Sequence, residues 1–130
     1  MSVTQCVPFL AVADIERSVR WYTSGVGFTM KNQWIDGGKL RWCWLALGGA
    51  AVMLQEIPNK AGQSEGITLY FICRDAVSLY RELRMRGIKA TEPQVGNHMW
   101  VTELTDPDGY RLAFESPTDT AEETKLSEVE

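Results

Sequence analysis

The chain has 130 residues, 45% of them hydrophobic and 23% charged, a balance that suits one globular domain or two small fused modules with their own core. Its net charge of −4 sits in the last stretch, where Asp119, Glu122, Glu123, Glu128 and Glu130 outweigh Lys125, so residues 1–118 are formally neutral. The absence of a basic patch with interleaved aromatics argues against nucleic acid as a partner, and no apolar run approaches the roughly 20 residues of a membrane span.

In chain order, the opening "MSVTQCVPFL" has no basic n-region and no long apolar run, so no signal peptide is expected and the reading is cytoplasmic. Cys6, Cys43 and Cys73 are odd in number and lack C-x-x-C spacing, which predicts buried free thiols in a reducing compartment. Cys6–Val12, "CVPFLAV", has strand character. Asp14 is a good N-cap for a helix whose buried stripe is Ile15, Val19 and Tyr22. Gly25 and Gly27 end that helix, and a strand starts near Phe28. Gly37-Gly38 is a hairpin turn before the strongly β run Lys39–Leu47, "KLRWCWLAL". Gly48-Gly49 turns again, and Ala50–Glu56, "AAVMLQE", closes the set. Residues 57–66, "IPNKAGQSEG", have the composition of an exposed linker.

The pattern then repeats. Ile67–Cys73 reads as a strand, Asp75 caps a helix through Leu83, and Gly87 ends it. Lys89–Thr91 is extended up to Pro93, Met99–Leu104 is a strand, and Tyr110–Glu115 follows the turn Asp106-Pro107-Asp108-Gly109. Asp14 and Asp75 are placed in register, as are Gln55-Glu56 and Phe114-Glu115. The prediction is an α+β fold of two tandem βαβββ modules, residues 5–56 and 67–117, forming a cup-shaped, partly open eight-stranded mixed sheet with helices outside. Residues 119–130 are expected to form an acidic tail, disordered or a loosely docked helix.

The stretches "FLAVADIERSVRWYTSGVGF" and "TELTDPDGYRLAFESP" resemble the vicinal oxygen chelate superfamily, which includes glyoxalase I, extradiol dioxygenases and bleomycin resistance proteins. The first carries V-x-D, S-x-x-[FW]-Y and G-[FL]; the second carries the D-P-D-G-aromatic turn and strand. The resemblance covers roughly residues 6–117. It implies a divalent metal held by His, Glu or Gln from the first and last strand of each module. Carried over by position, those ligands fall at Val7, Met53, Leu69 and Ala113. Val, Leu and Ala offer no donor, and a thioether prefers soft ions. Gln55 and Glu115 lie two residues further on, on the same strand face, and His98 is the only histidine. A site from these three would be unusual. Gln55 and Glu115 are expected at a cavity rim or module interface, and His98 at an exposed loop end.

The predicted cavity takes Val7, Phe9, Met53, Gln55, Leu69, Phe71, Ala113 and Glu115 on its inner side. Trp42 with Trp44, and Trp100 with Thr102, share strand faces whose direction the sequence leaves open. The tryptophans serve either a pocket or the core, with Trp34 at a rim and Trp21-Tyr22 structural. The two carboxylates of "DPDG" are explained by the turn, so no catalytic role is assigned to them. The ligand-binding candidates are therefore Phe9, Trp42, Trp44, Met53, Gln55, Phe71, Trp100, Ala113 and Glu115, and Glu115 is the only catalytic candidate. The resemblance to the bleomycin-resistance branch implies a protein that binds or sequesters a small hydrophobic or aromatic molecule without a metal or other cofactor, acting as a homodimer. The alternative is a divalent-metal-dependent lyase, isomerase or dioxygenase of the same superfamily with displaced ligands.

Overall fold

The computed structural model describes residues 1–59 and 63–130; the part of the expected linker at 60–62 lies outside the described residues. The chain forms two compact units, Met1–Ser64 and Glu65–Glu130. Each is an open four-stranded mixed sheet with one helix, an α+β arrangement built twice.

In the first unit the strands are β1 (Phe9–Val12), β2 (Thr29–Asp36), β3 (Lys39–Leu47) and β4 (Ala50–Glu56), in the order β1-β4-β3-β2. β1 is shorter than the run Cys6–Val12. Pro8 has no N–H to give to a ladder, though its carbonyl still accepts from the Met53 N–H at 2.8 Å. Helix α1 (Ile15–Arg20) starts at Asp14, whose carboxylate accepts the Arg17 N–H at 3.2 Å. The helix then widens to π geometry over Trp21–Val26, and Gly27 stops it at φ 117°, a conformation that glycine adopts without strain. Ile15, Tyr22, Leu10, Val12, Cys43, Leu45, Val52 and Leu54 form the core. Tyr22 sits edge-on between Trp21 and Phe28.

The second unit holds β5 (Thr68–Ile72), α2 (Ala76–Met85), β6 (Gln94–Gly96), β7 (Met99–Thr105) and β8 (Arg111–Pro117), in the order β5-β8-β7-β6. Asp75 caps α2 through the Ser78 N–H and hydroxyl, at 3.0 and 2.8 Å. The extended segment expected at Lys89–Thr91 is not the strand; β6 begins after Pro93. Thr91 touches β7 through separate hydrogen bonds to Glu103 and Thr102. Leu83, Leu104, Leu112, Phe114 and Tyr110 are buried.

One further expectation is corrected. Cys43 is buried, but Cys73 is only partly covered and Cys6 is exposed. Residues 119–130 belong to the second unit, with a 3-10 turn at Leu126–Glu128 and Leu126 only 7% exposed. Among the described residues no helix is long and apolar enough to cross a membrane.

Candidate functional site

Strand pairing decides which side chains share a face, because paired residues point the same way and neighbours along a strand alternate. In the first sheet, Phe9 pairs with Met53, Met53 with Trp44, and Trp44 with Asn32. The next row runs Ala11, Gln55, Trp42, Trp34. Both rows lie on the face opposite Leu10, Leu54 and Cys43, which pack into the helix side and are almost fully buried. The direction left open by the sequence is thereby set for Trp42 and Trp44. They stand on the open face, half-buried, beside Met53 and Gln55. Phe9 and Trp34 are about half exposed, at 50% and 52%. Apart from Ala11, which is buried, these residues form an aromatic and thioether surface carrying an amide from Gln55 and another from Asn32.

The second sheet differs from the expected facing. Tyr70 pairs with Ala113, and Ile72 with Glu115. Leu69 and Phe71 therefore lie on the other face, toward α2, where Phe71 stacks on Phe114 with centroids 4.8 Å apart. Trp100 pairs with Ser116 and Val95 on that same face. Thr102 pairs with Phe114 there and donates its hydroxyl to the Thr91 carbonyl at 2.7 Å. Ala113 and Glu115 remain on the open face, but their companions are Tyr70, Ile72, Val101 and Glu103, not Phe71 and Trp100. At equal distance from the capping residues Asp14 and Asp75, Thr68 corresponds to Val7 and Tyr70 to Phe9, so the open-face residues of the second module lie one position away from Leu69 and Phe71.

The ends of the modules also correspond one residue away from the expected register. The Ile15 N–H donates to the Glu56 carboxylate at 3.1 Å, and the Ala76 N–H donates to the Ser116 hydroxyl at 2.8 Å. Glu56 thus corresponds to Ser116, and Gln55 to Glu115. The Lys39 ammonium, 3.0 Å from Glu56, and the Ile15 N–H hold that carboxyl below its ordinary range. A hollow of about 440 Å³ lined by Ala13, Asp14, Glu16, Lys39, Glu56 and Pro58 lies at this helix start, away from the aromatic face. Burial pushes the Cys43 thiol up to about 11, so it is inert as a nucleophile.

The "DPDG" turn is structural. Asp106 is buried, and its carboxylate accepts the N–H groups of Asp108 and Tyr110, both at 2.9 Å. Gly109 takes φ 94°. His98 is exposed in the β6–β7 turn. The donor set does not fit a divalent ion: Val7, Met53 and Ala113, with Thr68 in place of Leu69, offer no imidazole or carboxylate. Among the described residues, no three His, Cys, Asp or Glu side chains come together in a way that could hold a metal.

Residues 3–114 match the model of the Glyoxalase/Bleomycin resistance protein/Dioxygenase superfamily. The chain belongs to that family. No curated protein sequence matches it. Among solved structures it is similar to an antibiotic binding protein from Streptomyces sp. CB03234, at 20% identity over 91% of this chain and 99% of that one, with TM-score 0.72. It is also similar to a bleomycin resistance determinant encoded on the transposon Tn5, at 19% identity over 91% of this chain and 100% of the other, with TM-score 0.73. A bleomycin-binding protein complexed with bleomycin superposes with TM-score 0.70, at 20% identity over 88% of this chain and 98% of its own. At these identities the likeness establishes the fold, and the site has to be argued from its own residues.

Proposed function

We propose that this family member binds and sequesters a small planar aromatic molecule on the open face of its first sheet, without a metal and without chemical turnover. The observation that carries the reading is the register Phe9–Met53–Trp44–Asn32 beside Ala11–Gln55–Trp42–Trp34. Half-buried indole and phenyl rings lose contact with water when a flat ring stacks on them, and each such contact contributes about 0.5–1.5 kcal/mol beyond area burial. A delocalised cation gains a further cation–π attraction of similar size. The Gln55 amide sits between Ala11 and Trp42 and gives one oriented polar contact that fixes how the ligand lies. The solved structures of bleomycin-binding and antibiotic binding proteins with this fold support a binding role. The missing imidazole and carboxylate donors support binding without a metal. A homodimer in the cytoplasm belongs to the same reading, and sedimentation of the purified chain tests the dimer.

The test is a titration of protein stripped with a chelator against planar aromatic cations, bleomycin included, read by tryptophan fluorescence. Saturable quenching that is lost in Trp42→Ala is expected. Quenching that appears only after Zn, Ni, Fe or Mn is restored would overturn the metal-free reading. An unchanged affinity in Trp42→Ala and Trp44→Ala would move the site elsewhere.

A further inference from the structure

β6 is the edge strand of the second sheet, with β7 on one side only. Its other edge is not open. The Val95 N–H donates to the Thr124 carbonyl at 2.9 Å, and the Glu123 N–H donates back to the Val95 carbonyl at 2.8 Å. Gln94 and Lys125 form an antiparallel bridge, and the Leu126 N–H reaches the Pro93 carbonyl at 2.9 Å. Residues 123–126 therefore run alongside β6 through three backbone hydrogen bonds and the single Gln94–Lys125 bridge, and the Leu126 side chain is buried.

Carboxylates clip the segment at its two ends. Glu122 accepts the Asn97 N–H at 2.6 Å through one oxygen and the His98 N–H at 3.0 Å through the other. Asn97 and His98 both have positive φ, which turns their successive N–H groups toward one point, a concavity suited to an anion. At the far end Glu92 accepts the Ser127 N–H at 2.7 Å, and Arg81 pairs with Glu130. The His98 and Asn97 N–H groups hold the Glu122 carboxyl below its ordinary range, as Ser127 does for Glu92.

We propose that residues 118–130 are a strap that guards the β6 edge in cis, with Glu122 as its clip, and that opening the clip lets the freed edge pair with a second copy of the chain. An unpaired edge strand presents N–H and C=O groups to any neighbouring strand, and a short length of the chain's own tail satisfies them here. The acidic composition of the strap keeps it soluble when released and gives its carboxylates backbone partners when docked.

Trypsin cleavage after Lys125, followed by mass spectrometry on the full-length chain at neutral pH, reads strap opening. Glu122→Ala removes both acceptor oxygens, and Glu122→Gln leaves one of the two. Asp119→Asn removes the same charge without touching the turn. The expected order of cleavage rate is Glu122→Ala above Glu122→Gln above wild type, with Glu122→Ala faster by about fivefold or more and Asp119→Asn equal to wild type. Equal rates in all four proteins overturn the clip. Far-UV circular dichroism identical to wild type is expected in Glu122→Ala, and amide exchange should be accelerated at Val95 and Leu126 but not at Leu104. Uniform acceleration would mean general destabilisation and would also overturn it. Sedimentation of Glu122→Ala should show concentration-dependent association beyond the wild-type state; its absence overturns the guarding of the edge.

Discussion

The two modules share a plan and differ in what they place on each face. On the helix side both use the same devices. An aspartate caps the helix, at Asp14 and Asp75, and the last strand sends a side chain to the first helical N–H, from Glu56 and Ser116. Apolar residues at alternate positions of the strands fill the space between, as Leu54 and Phe114 do. On the open side they part. The first module shows Phe9, Trp42, Trp44, Trp34 and Met53 with neutral amides, and the second shows Tyr70 and Ile72 with Glu103 and Glu115, around a buried Ala113. The helix side has to be alike because it makes the fold. The open side is free of that demand, and the proposed binding rests on its chemistry.

The comparison breaks first if the helix side is not where the stability lies. Leu54→Ala and Phe114→Ala each empty a fully buried position and should cost about 3–5 kcal/mol in urea or thermal unfolding. Met53→Ala, one residue from Leu54 but on the open face, should cost about 1 kcal/mol or less. If Met53→Ala matches Leu54→Ala, the open face is core and the binding proposal fails with it. Trp44→Ala sharpens the other side of the contrast. It should weaken affinity for a planar aromatic ligand by about tenfold or more, while Ile72→Ala on the second sheet leaves affinity within about twofold in the same fluorescence titration. Ser116→Ala strands the Ala76 N–H at the start of α2 and should cost about 1–3 kcal/mol, independent of pH between neutrality and mild acid.

Much of the helix side was legible in the sequence because its signals are local. Asp14 and Asp75 announce their helices, Gly27 and Gly109 mark their turns, and "DPDG" needs only its own residues to fold. The open side of the first module was half legible. Alternation from the positions that the resemblance implies, Val7 and Met53, put Phe9, Met53 and Gln55 together, but the facing of Trp42 and Trp44 depends on which residue of β3 sits opposite Gln55, a non-local pairing. In the second module a shift of one residue is enough to exchange Phe71 for Tyr70, since every side chain in a strand changes face with a shift of one. The pairing of the tail with β6 was not legible in composition. Its acidic residues read as a disordered segment or a loosely docked helix, and Glu122 finds its partners in the turn at Asn97-His98, distant in sequence.

The smallest expected effect separates the two helix starts by their chemistry. Ser116 carries no charge, whereas Glu56 titrates, and its carboxyl lies below its ordinary value of 4.5 chiefly through Lys39 and then through the Ile15 N–H. In acid the unfolded chain therefore takes up this proton first. The Glu56 contribution is complete above the ordinary glutamate value and is lost as the pH falls through the lower value of the folded state. Lys39 is half exposed, so the ion pair itself adds only about 0.2–1 kcal/mol, whereas the bond to Ile15 is more sheltered. Glu56→Gln keeps an oxygen for the Ile15 N–H but has no proton to gain. At neutral pH it should cost no more than that ion pair, and it should flatten the acid dependence of amide exchange at Ile15. Exchange at Ala76, corrected for its intrinsic pH dependence, should stay flat over the same range in both proteins. Equal acid sensitivity of Ile15 and Ala76 in the wild type would show that the two starts are held alike after all, and that the Lys39–Glu56 pair is incidental to the first.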